Sequence, residues 1–284
     1  MHENKTIREK GYNFLINSNF FKHQRVDNYF KKKWIDQSNW DWIIKKYDEF
    51  NEQNNSIEIV PKIIHQIWIG SSVPKKYNTW RQSWMKYNPD FKYILWDEKA
   101  ILKLGLVNER KFLQAKNPGV KSDIARYEIL FKFGGIYVDT DFEALKPIDP
   151  KLLSKSFIAG QVFSYSPSVA NGLMISIPKF ILFKKLIENL QEYRENMSPM
   201  EILNYSGPQY MTKVIFNNKE DLNDIVICPS QYFYPWPNFM IKSEQNPYSL
   251  ISDKSICIHH WEMSWMKKSL LRKFLNYFKS LLFK

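Results

Sequence analysis

The 284-residue chain has only two cysteines, Cys228 and Cys257, far apart and each beside apolar residues. That excludes a disulfide framework and the small secreted scaffolds that depend on one; both thiols are expected to be reduced and buried. No run of about 18 apolar residues occurs, so no transmembrane helix is expected. The opening residues, His2, Glu3, Asn4 and Lys5, are polar and lead into no apolar stretch, so no signal peptide is expected either. Internal repeats, low-complexity tracts, glycine-rich phosphate loops, zinc-ligand spacings and nucleic-acid-binding motifs are all missing. These absences point to a cytoplasmic protein, soluble or peripheral on the inner face of the plasma membrane.

Acidic residues are in short supply: 29 Asp and Glu face 41 Lys and Arg, a formal net charge of +12. A balance of that sign favours acidic partners, whether nucleic acid, anionic lipid or phosphorylated ligands, although a solubilising surface gives the same number. Hydrophobic residues make up 44% of the chain, enough for a real core, and aromatics 16%, with ten Trp, which supply stacking surfaces as well as core.

Residues 1–56 are polar and aromatic with helical spacing, ending in an Asn-rich stretch, 48–56, that reads as a linker; they form a predicted helical N-terminal extension. Residues 57–265 read as the main domain. Strands are predicted over 63–69, 93–96, 157–163, 172–177, 225–228 and 255–259. Helices are predicted over 78–87, from Asp97 as cap through 104, and over 120–133, 178–193 and 208–216. Strands alternating with helices indicate an α/β fold with a mixed, mostly parallel sheet flanked by helices, and such sheets bind ligands at the carboxyl ends of their strands. Residues 266–284 carry Leu270, Leu271, Phe274, Leu275, Phe278, Leu281 and Leu282 on one arc at helical spacing, with Lys268, Arg272, Lys273, Lys279 and Lys284 on or near the other side. This basic amphipathic C-terminal helix reads as an anchor on an anionic membrane surface or as a helix docked on its own domain.

The segment from Lys121 to Asp141 carries the most chemistry. A helix is stopped by Gly134 and Gly135, an apolar strand follows (Ile136, Tyr137, Val138), and Asp139 and Asp141 close it. In an extended chain residues i and i+2 share a side, so two carboxylates at a strand end offer an oxygen site for a hard divalent cation with room left for phosphate oxygens. An isolated Asp-x-Asp is usually a solvated turn, but carboxylates at the end of a buried strand cost solvation unless something pairs with them. Asp123 and Arg126, three apart, share a face of the preceding helix.

Several segments in order carry a resemblance: Val60-Pro61-Lys62-Ile63-Ile64-His65-Gln66-Ile67-Trp68-Ile69-Gly70, Lys121-Ser122-Asp123-Ile124-Ala125-Arg126-Tyr127, Gly134 to Asp141, Asn171-Gly172-Leu173-Met174, Ser206-Gly207-Pro208, and His259-His260-Trp261 with Ser264-Trp265. Over about residues 60–265 the chain resembles the DxD sugar-binding glycosyltransferases of family 32, which include capsular-polysaccharide and mannan-initiating enzymes and share motifs with the large glucosylating toxins. The resemblance implies a GT-A fold, Mn²⁺ or Mg²⁺, and retaining transfer of a hexose from a nucleotide-diphosphate sugar, with UDP favoured, to a glycan acceptor such as a lipid-linked capsular or exopolysaccharide precursor. It implies that Trp68 stacks on the donor base and that Ser122 and Asp123 bind hydroxyls. Arg126 would contact the sugar or developing negative charge, Tyr137 would help hold the nucleotide, and Asn171 would lie beside the sugar. Asp139 and Asp141 would hold the metal, and the loop with Ser264 and Trp265 would close on the diphosphate. Asp123, Arg126, Asp141 and Asn171 form the implied catalytic set.

Plainer readings stand beside these. Trp68 in an apolar strand is equally a core residue, Asp123 and Arg126 equally a surface ion pair, Asn171 before Gly172 equally a turn, and Trp265 equally a lipid anchor. His259 or His260 is a third metal ligand, and opposite facing allows only one of them. Glu143 is the nearby candidate for a nucleophile. Two competing functions are a non-enzymatic basic module binding membrane or nucleic acid, and a metal-dependent phosphotransferase using Asp139 as nucleophile.

Overall fold

The computed structural model describes residues 18–22, 38–54, 56–162, 167–241 and 244–266. The amphipathic segment 267–284 and most of the N-terminal extension therefore lie outside the described residues. Those that are described run α1 (Ser38–Glu52), β1 (Ile63–Ile67), α2 (Lys75–Tyr87), β2 (Lys92–Trp96), α3 (Glu98–Leu102), α4 (Glu109–Gln114), α5 (Pro118–Phe133), β3 (Gly135–Val138) and β4 (Phe142–Ala144). Then come β5 (Phe157–Gln161), β6 (Val169–Ser176), α6 (Ile181–Glu188), α7 (Pro199–Tyr205), α8 (Pro208–Asn217), β7 (Ile225–Cys228) and β8 (Cys257–His259).

The central sheet has the order β2-β1-β3-β6-β5-β7. β1 is parallel to β2 and β3, β5 is parallel to β7, and β6 is antiparallel to both of its neighbours. This is the expected mixed, mostly parallel sheet with helices around it, and one strand is reversed. Because β6 runs backwards, its N-terminal half lies beside the C-terminal end of β3: Val138 pairs with Leu173, and Asp139 N–H donates to Gly172 O at 2.8 Å. A separate two-stranded sheet pairs β4 with β8 and sets Phe142 opposite His259. Every residue of β3, β5, β6, β7 and β8 is buried, which is why these strands read as continuous apolar runs rather than as alternations.

Local chemistry fixes the helix that leads to the acidic pair. Asn117 accepts from Gly119 N–H at 2.8 Å, Pro118 occupies the first turn, and Gly134 ends α5 at φ 62°. Gly135 follows at φ 92°. A Cβ at Gly134 would lie 2.6 Å from Pro178 N, and one at Gly135 2.6 Å from Ile63 O, so two glycines are needed for α5 to turn directly into β3.

Two expectations are corrected. Residues 48–52 belong to α1 rather than to a linker, because Trp40, Ile43, Ile44, Tyr47 and Phe50 form a buried stripe at helical spacing. Each large side chain so buried contributes roughly 1.5–3 kcal/mol, and Tyr47 also shares a hydroxyl hydrogen bond of 2.8 Å with Tyr232. The helix predicted over 178–193 shrinks to α6, because Lys179 takes φ 59° and gives its N–H to Phe131 O at 2.7 Å, outside any helix. α7, unforeseen, begins with a capping box between Ser198 and Glu201. β4, also unforeseen, is too short to show a period. Both cysteines are free and buried, as expected, and among the described residues no helix is long and apolar enough to cross a membrane.

His65, inside β1, gives the fold a pH dependence. Its Nε2–H donates to Gly134 O at 3.0 Å and its Nδ1 accepts from Trp96 Nε1–H at 3.1 Å, which fixes a neutral tautomer. Burial holds its pKa down at about 4, with the Gly134 carbonyl opposing. The unfolded chain takes up this proton near pH 6.5 and the folded one only near 4, so stability falls as pH drops through that window. Up to roughly 3 kcal/mol is expected from this group. Urea midpoints measured from neutral pH down to about 5 should fall less steeply for His65→Gln than for the parent, and equal slopes would refute the assignment.

Candidate active site

Arg126 is the hub of the site. On α5 it is only 5% exposed, and its Nη2 lies 3.3 Å from Asp123 Oδ1 and 3.1 Å from Asp139 Oδ1. Nη1 donates to Asn171 O at 2.8 Å, Nη2 to Ser122 Oγ at 3.1 Å and Nε to Ser122 O at 3.2 Å, and the guanidinium lies 4.5 Å from the centre of the Tyr137 ring. Burial works against its charge, but Asp139, Tyr137 and Asp123 outweigh it and hold the pKa above the ordinary arginine value. The pair with Asp123 is thus a buried ion pair, not a surface one. Such a pair has value through its full set of hydrogen bonds, because desolvation consumes much of the bare attraction.

The carboxylates around it are equally committed. Asp123 accepts from Asn171 Nδ2 at 2.9 Å and from Ser206 Oγ at 2.9 Å; burial pushes its pKa up against the pull of Arg126. Asp139 accepts from Tyr137 OH at 2.6 Å, and burial raises its pKa too. Asp141 accepts from Glu262 N–H at 2.9 Å and meets His259 Nε2 at 3.0 Å. Burial works to raise the Asp141 pKa, but His259 and the Glu262 N–H prevail and bring it below the usual carboxylate value. Three carboxylates share one guanidinium and one imidazole, so acidic groups are in excess in this buried setting.

That imbalance fits a divalent cation. Asp139, Asp141 and His259 each offer a ligand atom, all within 4.8 Å of one another. The Nδ1 of His259 is buried without a hydrogen-bond partner, and two carboxylate oxygens with one imidazole form a donor set suited to a divalent ion of the Mn²⁺ or Mg²⁺ kind. The choice between the two histidines falls on His259. His260 points to the other side of β8: its Nε2 meets Glu143 Oε2 at 3.0 Å and its ring stacks on Trp80 at 4.2 Å and 11°.

A cleft of about 380 Å³ opens over these residues, lined among others by Trp68, Ser122, Asp123, Arg126, Asp139, Asp141, Asn171, His259, Ser264 and Trp265. All the residues named from sequence reach it except Tyr137, His260 and Glu143. Tyr137 is fully buried; it was expected to hold a nucleotide and instead holds Asp139 and Arg126, because its hydroxyl is taken up by Asp139 and Ser122 and its ring is covered by the Arg126 guanidinium. Glu143 is bonded to His260 and to Tyr248 OH at 2.7 Å, so it has no route to a ligand in the cleft. Trp68 is not a core residue but a half-buried one at the mouth, 4.8 Å from the Tyr77 ring. Asn171 is buried within β6 rather than in a turn.

Sequence reasoning missed Tyr234 and Asn238, which also line the cleft, and Gln66, whose Nε2 donates to Asp139 O at 3.2 Å while its Oε1 accepts from Tyr93 OH. The run Tyr234-Pro235-Trp236-Pro237-Asn238 was the available signal, an aromatic segment stiffened by two prolines.

With this geometry in place, comparison with known proteins is informative. Residues 74–158 match the sequence family described as "Glycosyltransferase sugar-binding region containing DXD motif". That stretch contains Ser122, Asp123, Arg126, Tyr137, Asp139 and Asp141. A mannosyl phosphorylinositol ceramide synthase of Saccharomyces cerevisiae is 30% identical over 164 residues, 55% of this chain and 42% of that protein. The human alpha-1,4-N-acetylglucosaminyltransferase is 29% identical over 159 residues, 51% of this chain and 42% of that protein. The matched part of the chain thus spans less than half the length of either relative. Among solved structures, the PaToxG glycosyltransferase superposes with a TM-score of 0.43 at 18% identity, covering 65% of this chain and 82% of that one.

Two outcomes test the site. Calorimetric titration with Mn²⁺ should show similar binding to the parent and to His260→Ala but much weaker binding to His259→Ala, and the opposite pattern would move the ligand to His260. A Cβ at Gly172 would lie 2.9 Å from Asp139 Oδ2, and that carboxylate is pinned by Tyr137 and Arg126. Gly172→Ala, whose methyl would also crowd the Tyr234 hydroxyl at 3.2 Å and Phe142 at 3.3 Å, should therefore weaken the cation about tenfold, within the range for disturbed metal surroundings, and lower the melting temperature as overpacking does; unchanged affinity would count against Asp139 as a ligand.

Proposed function

We propose that this chain is a metal-dependent glycosyltransferase that moves a hexose from a nucleotide-diphosphate sugar to a glycan acceptor. The observation that carries the reading is the Asp139–Asp141–His259 cluster in a cleft that Trp68 and Asn171 also line. Bound there, a divalent cation supplies charge neutralisation for the diphosphate that leaves when the anomeric bond breaks. The chain's own residues do the rest. Trp68 offers a flat face to the base, and stacking of this kind is worth about 1–3 kcal/mol per base in nucleic-acid systems. Ser264 and Trp265 border the cleft from the loop that carries His259 and close over the diphosphate. Arg126 and Asp123, already locked to Asn171 and Asp139, present a fixed surface to the sugar, so no reorganisation is needed as charge develops.

Retention of configuration is what the family resemblance implies, and a same-face route to it is supported by what the cleft holds. Among the described residues lining it, the carboxylates are Asp123, Asp139 and Asp141, and each is engaged by the partners given above. None is left to attack the anomeric carbon as a nucleophile. The acceptor oxygen then bonds to that carbon on the face the diphosphate leaves, the departing phosphate oxygen keeps the electron pair, and it takes the acceptor's proton. The same commitments disfavour Asp139 as the nucleophile of a phosphotransferase.

UDP is the nucleotide favoured by the resemblance around Trp68. A lipid-borne acceptor is supported by relatives named for making mannosyl phosphorylinositol ceramide; a lipid-linked capsular or exopolysaccharide precursor is the narrower form of that reading. The corresponding location is the cytoplasmic membrane surface, reached through the basic segment 267–284.

A panel of UDP- and GDP-sugars, assayed for hydrolysis with Mn²⁺ and with EDTA, tests the assignment. One donor should be cleaved only with metal, and Asp141→Ala should lose at least about 100-fold, the scale for removing an electrostatic stabiliser. No cleavage and no metal-dependent binding of any donor would sink the reading and favour the basic binding module.

A further inference from the structure

One side of the cleft is left without a task by the chemistry above. The segment from Tyr234 to Asn238 follows β7 and lies over β5: a Cβ at Gly160 would touch the Tyr234 ring at 3.1 Å. Tyr234 and Asn238 line the cleft, and each is 3% exposed. The side-chain carbonyl oxygen of Asn238 is buried with no hydrogen-bond partner, and an orphaned acceptor of this kind is costly to keep unless something comes to bond it. The Tyr234 hydroxyl leans on the Leu173 main chain but makes no hydrogen bond of good geometry.

The segment is held rigidly. Pro237 sits at φ −72° and ψ 146° ahead of the short turn Asn238–Met240, and Trp236 O accepts from Trp261 Nε1–H at 2.7 Å. The Tyr234 ring packs 5.3 Å from Phe142 and 5.7 Å from His259. The orphaned oxygen is therefore fixed in place by the same residues that fix a metal ligand, which is how a recognition group is built.

Strand order says what it recognises. Trp68 follows β1, Asp139 follows β3, and Asn171 lies in β6 with β5 beyond it. If base and diphosphate lie over β1 and β3, the next group of a nucleotide sugar falls over β6 and β5, below Asn238. Resting on the glycosyltransferase reading, we propose that Asn238 reads a carbohydrate hydroxyl: its carbonyl oxygen accepts a hydrogen bond from the bound sugar, and Tyr234 completes the subsite. A site built around a hydrogen-bonding group rejects a ligand that lacks the matching hydroxyl far more strongly than an apolar wall does, so Asn238 sets sugar specificity rather than nucleotide affinity.

The test compares the parent with Asn238→Leu, similar in size and unable to accept, and Asn238→Asp, which keeps the accepting oxygen. Calorimetry with Mn²⁺ uses the nucleoside diphosphate alone and then the sugar donor that the hydrolysis panel selects. The Leu variant should bind the nucleoside diphosphate within twofold of the parent and lose at least about tenfold, the scale of one hydrogen bond, on the rest of the ligand. That loss falls on donor affinity if the hydroxyl belongs to the transferred sugar, or on acceptor KM with unchanged donor hydrolysis if it belongs to the acceptor. The Asp variant should recover part of it. Unaltered donor and acceptor behaviour in Asn238→Leu, or an equal loss for nucleoside diphosphate and nucleotide sugar, would overturn the proposal. Should Asn238→Leu fail to fold, deoxygenated donors and acceptors decide on the parent protein: indifference to every deoxygenation overturns it. A parent that binds the nucleoside diphosphate but gains nothing from any sugar also overturns it, whereas one that binds neither brings down the glycosyltransferase reading itself and this subsite with it.

Discussion

The interaction on which the site depends is the buried contact of Arg126 with Asp123 and Asp139. A guanidinium and two carboxylates removed from water are costly, and they are tolerated because nearly every donor and acceptor is used: Ser122, Tyr137, Asn171 and Ser206 supply the remaining hydrogen bonds. The network spans a helix, the end of one strand and the start of another, so the orientation of each depends on the others. Half-satisfied, it would be worse than an apolar core. Complete, it leaves an excess of negative charge on the side where Asp141 and His259 complete a cation site.

Topology makes that network possible. A sheet with all strands parallel would place the start of β6 at the opposite edge from the end of β3. The single reversal brings Asn171 and Gly172 beside Asp139, and leaves room so tight that Gly172 has no space for a side chain. The second, smaller sheet solves a different problem. It carries His259 back to the acidic pair, and its other side, where His260 meets Glu143 and Trp80, braces the turn from behind.

Much of this was legible in the sequence, for identifiable reasons. The strands around 63–67, 92–96 and 225–228 are short apolar runs between clear breakers, and α5 has an Asn-Pro start and a double-glycine stop. Asp123 and Arg126 could be paired by helical spacing, and Asp139 and Asp141 by strand spacing. What spacing cannot convey is which way a residue faces once its neighbours crowd it. Tyr137 was given to the ligand side, but Arg126 lies over its ring and Asp139 takes its hydroxyl. The two histidines were indistinguishable until the register of β8 on β4 set His259 against Phe142. Asn238 and Gln66 escaped notice because a single amide inside an apolar or aromatic run does not show what it will bond to; their roles arise from what surrounds them in three dimensions.

The pairing of Asp141 with His259 joins residues 118 positions apart, through a strand of three residues that closes on β4. The two aspartates emerge from a ribosome well before the imidazole that completes their cluster. Until the chain beyond residue 259 has been made and β8 has docked, only the weaker two-carboxylate site exists. Full affinity for a cation is thus a late event in the life of the polypeptide, and capture of the ion would act as a latch on a fold already assembled rather than as a seed for it.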